Sequence, residues 1–259
     1  WATIGKKIEH IAEATMEEVK DFFYTHYGPQ NAVLVVGGNT SLKEVKRLSE
    51  KWFGDVPTRE KYQRNIDPEP AQNEVRSKVI QRDVPANAIY MAFRMGSRTS
   101  DDHYLGDLTS DILSAGTSSR MYNELVVRTR MFSNISAYIT AGWEDGLFVI
   151  SGQLSEGVSQ EQAEKAIWDE LEKMKQPMTD PRELIKVKNK FKTSKIFSEQ
   201  SLMNRVLKIA LFELMGSIDQ LNSELDRYDA ISEEQLRSFA ENTFKEENSN
   251  TLFVEKTNG

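Results

Sequence analysis

The segment TMEEVKDFFYTHYGPQNAVLVV (residues 15–36) predicts a helix that leads directly into a strand. Thr15, followed three residues later by Glu18, forms the capping-box pattern of a helix start. Hydrophobic residues then recur at helical spacing, and a proline stands beyond the expected helix end. The run 32–36, rich in β-branched residues, is typical of a buried strand.

The segment SEEQLRSFAENTFKEENSNTLF (residues 232–253) repeats this pattern near the end of the chain. Ser232 takes the place of Thr15, and Gln235 takes the place of Glu18. Further matches follow at the same offset: Val19 with Leu236, Phe22 with Phe239, Tyr27 with Phe244, and Asn31 with Asn248. The pattern indicates either a duplicated domain or two helix–strand units that are alike by chance. Under duplication, the first copy begins before residue 1, and roughly two-thirds of it is absent.

Composition indicates a globular protein with about two domains, since 259 residues are more than a minimal domain needs. The formal net charge of -7 argues against a general nucleic-acid binder. No run approaches the ~18 apolar residues of a membrane helix. Cysteine is absent from the sequence, which excludes disulfides and thiolate metal sites. We expect a soluble bacterial protein of the cytoplasm or periplasm, without nucleic-acid binding or membrane insertion.

The remaining pattern predicts an α+β fold in which a mainly antiparallel sheet is flanked by helices. Polar, proline-containing sequence over 56–78 favours a linker. The predicted strands are 79–84, 88–95, 133–140, 147–153 and 251–254, with Asp145-Gly146 as the turn of a hairpin. The predicted helices begin at Ser41, Asp101, Ser118, Ser159, Asp180 and Ser232, and the helical region from Asp180 extends to about Met215. Lysines at every second position over 186–192 predict a solvated surface.

Two motif regions resemble the pitrilysin/insulinase family of zinc peptidases, which includes the mitochondrial processing peptidases and their bacterial relatives. They are NAVLVVGGNTSLKEVKRLSEKWFGDVP (residues 31–57) and ILSAGTSSRMYNELV (residues 112–126), and residues 1–5 fit the stretch that leads into the first. The resemblance implies duplicated metallohydrolase-like domains with a truncated first copy. Residues 1–72 then form the C-terminal remnant of a zinc-binding domain plus a linker. Residues 73–259 form a complete, non-catalytic second domain.

The chemistry that this resemblance implies requires an HxxEH motif, in which two histidines on one helical face bind Zn²⁺ and the glutamate acts as general base. The sequence contains only His10, His26 and His103. His10 begins half of such a motif, but Ala14 stands where the second histidine is needed. We therefore predict that the zinc ligands lie upstream of Trp1 and that this chain alone binds no zinc.

The second copy carries other residues at the motif positions. Laid against the family's motif helix, Asp107, Ser110 and Asp111 replace His, Glu and His. Two carboxylates at this spacing could hold a hard cation weakly, although an exposed or N-terminal helix face is the simpler interpretation. The resemblance thus implies that the second domain is the non-catalytic duplicate.

Relatives with catalytic assemblies also supply an arginine and a tyrosine that hold the peptide and polarise its carbonyl group. The matching positions here are Val126 and Ser133, which lack those side chains. Arg128, Arg130 and Tyr138 are nearby substitutes, and each of them could instead be a surface charge or a hairpin aromatic. A homologous partner subunit could supply the missing groups.

Three functional hypotheses follow. The chain is the C-terminal part of a zinc metalloendopeptidase that encloses a peptide substrate and is inactive alone. Alternatively, it is part of a non-catalytic family member that acts as a peptide-binding or scaffolding subunit. A third hypothesis is an α+β interaction domain unrelated to proteolysis. Peptide substrate, the missing N-terminal segment and a homologous subunit are the expected partners, and an acidic cavity that favours basic peptides is compatible with the net charge.

Overall fold

The structure is a computed structural model that describes residues 7–140, 142–216 and 218–257. The expectation about residues 1–5 lies outside these ranges. The described helices are α1 Glu9–Ala12, α2 Met16–His26, α3 Leu42–Phe53, α4 Asp101–Ser114, α5 Gln160–Met174, α6 Arg182–Ser198, α7 Leu202–Leu214, α8 Asp219–Ala230 and α9 Glu233–Thr243. The strands are β1 Arg76–Arg82, β2 Ala88–Ser97, β3 Phe132–Thr140, β4 Asp145–Leu154 and β5 Ser249–Lys256.

The chain forms two compact units. Unit 1 contains residues up to 67 together with 197–221, and unit 2 contains 68–196 together with residues from 222 onward. Unit 1 therefore includes α1, α2, α3 and α7. The domain boundary expected between residues 72 and 73 remains a prediction.

Unit 2 contains a five-stranded sheet in the order β1-β5-β2-β4-β3. β1 pairs with β5 in parallel, and the other neighbours are antiparallel. This mixed architecture confirms the predicted α+β fold with a mainly antiparallel sheet. Helices α4, α5 and α9 contact the sheet from the side on which Ile89, Met91 and Phe93 of β2 are buried. The alternate residues of the strands therefore point to the opposite face.

Aromatic rings form the centre of the unit 2 core. The ring of Phe244, which follows α9, lies 5.3 Å from Phe93 and 5.0 Å from Phe148, both in edge-to-face contact. Trp168 of α5 also meets the Phe93 ring edge-to-face, at 5.5 Å. Because large aromatic side chains bury the most apolar area per residue, these contacts fix α5 and α9 on the sheet.

The two helices of the sequence repeat share the same local geometry. Both begin at a complete capping box, with Thr15 and Glu18 in α2 and with Ser232 and Gln235 in α9. Each runs for 11 residues and is followed by a short 3-10 turn, at Pro29–Asn31 and Glu246–Asn248. An asparagine side chain then closes each helix end, since Asn31 donates to His26 O at 3.2 Å and Asn248 donates to Thr243 O at 2.8 Å.

The predicted strand at 32–36 is wrong for the described structure. Residues 32–36 are extended but pair with no strand among the described residues, and Leu34 and Val36 are 59% and 50% exposed. The matching segment of the second copy is β5, which pairs on both sides. A strand forms only where a neighbouring strand pairs with its backbone groups. The β-branched pattern of 32–36 was therefore not enough to predict a strand.

Three further predictions need correction. The helical region expected from Asp180 to about Met215 is divided into two helices, α6 and α7, and helix α8 was not predicted. The helix predicted from Ser118 is a seven-residue π-helix at Tyr122–Arg128. Asp145 and Gly146 begin β4 instead of forming the turn, and Gly146 lies so close to β3 that a Cβ there would be 2.3 Å from the Thr140 carbonyl oxygen.

The lysines of 186–192 are less solvated than predicted. Lys188 is half-buried and donates to the carbonyl oxygens of Asp229 and Ile231, each at 2.7 Å, so it caps the end of α8. Lys186 is also half-buried and donates to Ser118. These lysines connect helices that are distant in sequence, which their spacing could not reveal.

Candidate functional site

Helix α4 carries the three residues at the expected zinc-motif positions, and each already has a protein partner. The Tyr228 hydroxyl donates to Asp107 Oδ2 at 2.7 Å, and Lys190 Nζ donates to Asp111 Oδ1 at 2.6 Å. Ser110 Oγ donates to the Asp107 backbone oxygen at 2.8 Å. The two carboxylates are thus held by a phenol and an ammonium group. This donor set does not fit a zinc ion, which binds histidine, cysteine and free carboxylate ligands.

The histidines lie in separate elements. His10 is exposed in α1, His26 packs against the rings of Phe22 and Tyr62, each at 4.5 Å, and His103 belongs to α4. Within residues 7–140, 142–216 and 218–257, no group of three or more His, Cys, Asp or Glu side chains is placed to hold a metal ion. The position of the zinc ligands upstream of this chain remains a prediction.

The substitutes for the missing arginine and tyrosine do not form one cluster. Arg128 is exposed at the end of the π-helix and is ion-paired with Glu124, and Arg130 is exposed in a left-handed conformation with φ 55°. Tyr138 lies near the far end of β3, roughly 20 Å along the strand from its start. Their roles in substrate binding therefore remain predictions, with Tyr138 in a different place from the two arginines.

The helix-free face of the sheet is a candidate site that the sequence did not indicate, and we call it the open face. It is formed by alternate residues of 88–92, 134–138, 147–153 and 250–254. None of these outward residues is charged, but the same face of the neighbouring strand β1 carries Arg76 and Lys78, which pair in register with the outward Asn250 and Leu252. Tyr90 and Tyr138 on this face are 43% and 44% exposed. Residues alternate between the two faces of the sheet along β2 and β4, so the uncharged outward residues could be identified once the buried face was known.

The outward face of an antiparallel sheet is normally polar and solvated. On the open face, the Ser136 and Ser151 hydroxyls hydrogen-bond each other at 3.0 Å. At one end, the residues from Val84 to Ala86 border a cavity of about 310 Å³ that also contacts Tyr90, Asn134 and Gln153. At the other end, Arg94 pairs with Asp145 at 3.3 Å. An uncharged surface thus lies between a cavity and an ion pair.

A family model described as the peptidase M16 inactive domain matches residues 13–191, which is more than half of the chain. The chain belongs to this family. The match confirms the resemblance to zinc peptidases that the two motif regions indicated. It also agrees with the donor set on α4, where tyrosine and lysine occupy the two carboxylates.

Several relatives agree with this assignment. The zinc protease PqqE of Helicobacter pylori is 25% identical over 98% of this chain, and the uncharacterized zinc protease YmxG of Bacillus subtilis is 21% identical over 92%. The chain spans 58% of the length of each of these curated relatives. The crystal structure of a Helicobacter pylori protease shares the fold, with a TM-score of 0.87 at 23% identity over 96% of this chain and 61% of that one.

An M16 inactive domain from Pseudomonas fluorescens also shares the fold, with a TM-score of 0.83 and 16% identity over 97% of this chain and 60% of that one. No helix among the described residues is long and apolar enough to cross a membrane.

In this M16 inactive domain, Asp107 and Tyr228 form a partly buried polar cluster. Burial raises the pKa of Asp107 above its ordinary value, and the Tyr228 hydrogen bond opposes part of that rise. Burial, together with the nearby Asp107 charge, raises the pKa of Tyr228, so the phenol keeps its proton and remains the donor. The Tyr228 ring contacts Tyr104 of α4 and stacks on Phe191 of α6. The cluster therefore joins α4, α6 and α8.

The partly buried His103 leads us to expect that acid destabilises this M16 domain. Burial lowers the pKa of His103 from 6.5 to about 4, and the positive charge of Arg98 acts in the same direction. Between these values the unfolded chain binds a proton that the folded chain does not bind. The free energy of unfolding should therefore fall as the pH drops from about 6.5 to about 4, by about 2 kcal/mol after allowance for partial exposure.

Urea unfolding at pH 7.5, 5.5 and 4.5 measures this effect, with His103→Gln as the comparison. As the pH falls, we expect the free energy of unfolding of the parent chain to decrease more than that of the His103→Gln variant. Asp107 acts in the opposite sense, because its raised pKa favours the folded state in acid. Since Asp107 is present in both the parent chain and the variant, its effect cancels in the comparison. Identical pH dependence in the two proteins would show that His103 is not the acid-sensitive group.

Proposed function

We propose that this chain is the non-catalytic, C-terminal part of a zinc-dependent metalloendopeptidase. It associates with a zinc-holding part of the same protein, helps to enclose the peptide substrate and is inactive alone. The family and the length of the relatives support this assignment, because this chain spans only part of each curated zinc protease that it matches.

The exposed apolar face of α2 is the observation that carries the proposal. Three residues of this face are mostly exposed: Val19 at 52%, Phe22 at 58% and Tyr27 at 66%. The matching residues of the second copy are all buried: Leu236 at 1%, Phe239 at 4% and Phe244 at 0%. A contiguous exposed patch of large apolar side chains indicates a docking surface.

The second copy indicates what covers that surface. There, β5 follows the 3-10 turn and pairs in parallel with β1 and antiparallel with β2. Residues 32–36 follow the matching turn, and their backbone groups need the same kind of neighbours. A sheet that supplies two such strands would complete a first domain. In that domain, a helix carrying HxxEH could then stand at the position that is equivalent to α4 in the second copy.

The sequence and the association can both be tested. We expect the coding sequence upstream of Trp1 to contain HxxEH followed by a distant glutamate. Co-expression of that upstream segment with this chain should give a complex that holds one zinc ion and cleaves a casein substrate. Phe22→Glu should prevent the complex from forming, because it places a charge on the apolar face.

Ile185→Glu is the matched control, because Ile185 is 56% exposed on α6 in unit 2. It should leave complex formation unchanged. A complex that forms equally well with Phe22→Glu would contradict the proposed docking surface.

A second candidate function is a non-catalytic subunit that binds or scaffolds peptide substrate. Val126 and Ser133 favour it, because neither can take the part of the arginine or the tyrosine of catalytic assemblies. Val126 packs partly buried against the core, and Ser133 Oγ donates to the Gln153 backbone oxygen at 3.3 Å. A degraded HxxEH motif upstream of Trp1 would favour this subunit over the peptidase.

A further inference from the structure

We propose that the open face of the sheet binds an extended, uncharged segment of the peptide substrate, and that Tyr90 and Tyr138 determine this specificity. The inference rests on the proposed function and names the substrate class of its peptide-binding surface. It replaces the expectation that an acidic cavity favours basic peptides, since no outward residue of the open face is acidic.

The register of the sheet places the two tyrosines on either side of β4. Tyr90 on β2 pairs with Ser151, and Tyr138 on β3 pairs with Val149. Two strand spacings and a two-residue offset separate the tyrosines, which puts their Cα atoms roughly 12 Å apart. The tyrosines therefore form the walls of a trough whose floor is Val149 and Ser151.

The dimensions of the open face suit a short peptide better than a globular partner. Its four strands, about 19 Å across, and the seven-residue segment 147–153 of β4, about 20 Å long, give an area of about 400 Å². A stable protein–protein interface needs about 800 Å² on each partner. An extended peptide of about six residues is roughly 20 Å long and would fill the same trough.

The chemistry of the trough selects against charged peptide residues. A charged side chain that enters the trough would lose water without gaining an ionic partner from its walls or floor, because Tyr90, Tyr138, Val149 and Ser151 are all uncharged. Apolar and aromatic peptide side chains can stack on the two tyrosine rings. The cavity beside Val84–Ala86 has a volume of about 310 Å³ and an uncharged lining that includes Pro85 and Val254, so it can receive an apolar side chain at the end of the trough.

Fluorescence anisotropy of the 259-residue chain with three labelled peptides tests the inference. The probes are SVAFAVS and its charged counterparts SVEFEVS and SVKFKVS. We expect the uncharged probe to bind at least tenfold more tightly than either charged probe. Tyr90→Ala and Tyr138→Ala should each weaken its binding about three- to tenfold.

Ser151→Lys, which places a charge on the trough floor, should weaken binding of SVAFAVS more than tenfold. Tyr24→Ala is the matched control, because Tyr24 is a similarly exposed tyrosine, at 45%, on α2 in unit 1. Its binding curve should overlay that of the parent chain. Circular dichroism confirms that each variant is folded.

Three outcomes would overturn the inference. These are equal affinity for the three probes, binding that neither tyrosine affects, and a dimer in sedimentation that Tyr90→Ala dissociates. The last would show that a second copy of the chain covers the open face. None of them bears on the complex with the upstream segment, so the proposed function can stand when this inference fails.

Discussion

Phe244→Ala should destabilise unit 2 by about 3–5 kcal/mol, whereas Tyr27→Ala at the matching position of the repeat should cost less than about 0.5 kcal/mol. Phe244 is fully buried and its ring contacts Phe93 and Phe148. Its removal leaves a cavity among aromatic rings that cannot close without moving α9. Tyr27 is 66% exposed, so its removal leaves no cavity.

Urea unfolding followed by amide hydrogen exchange in β2 and β4 measures the effect of Phe244→Ala on unit 2. The same exchange measurement in α2 reports on Tyr27→Ala. Once the zinc-holding segment is bound, Tyr27→Ala should become costly and approach the effect of Phe244→Ala. A large effect of Tyr27→Ala in the isolated chain would mean that the α2 face is already packed, against the exposure described above.

Local sequence patterns predicted the elements whose stability depends on short-range contacts. The capping boxes at Thr15, Ser159 and Ser232 begin helices in the structure. The β3–β4 hairpin was also predicted, apart from its turn. Helix α8 was missed although Leu221, Leu225 and Tyr228 stand at i, i+4 and i+7 in its otherwise polar sequence DQLNSELDRYDA. The fold class was therefore predictable, and the number of helices was not.

The candidate site depended on contacts between residues distant in sequence. The resemblance identified Asp107 and Asp111, but nothing in the pattern indicated that Tyr228 and Lys190 would hold them. The open face was missed for a related reason, since an uncharged strand face has meaning only when the strand order brings several such faces together. Tyr138 was predicted as a substrate-binding residue, and the sheet register places it on the open face.

The buried ion pair between Lys195 and Glu224 should give the other large effect on stability. Lys195 Nζ lies 2.7 Å from Glu224 Oε2, and the two side chains are only 6% and 13% exposed. Lys195→Met alone should cost about 3–5 kcal/mol, because the Glu224 carboxylate then stays buried without this ionic contact, and Glu224→Gln should be destabilising as well. The double variant Lys195→Met/Glu224→Leu should regain most of this loss, since neither charge remains.

Lys165→Met is the control for this pair. Lys165 and Asp169 form an ion pair at 2.8 Å on the exposed side of α5, with side chains 74% and 57% exposed. Exposed pairs contribute at most about 1 kcal/mol, so Lys165→Met should change the free energy of unfolding little. Urea unfolding of all the variants at pH 7.5 gives the comparison. If the double variant is as unstable as either single variant, the loss of stability comes from disturbed packing between α6 and α8. It then does not come from leaving a buried charge without its partner.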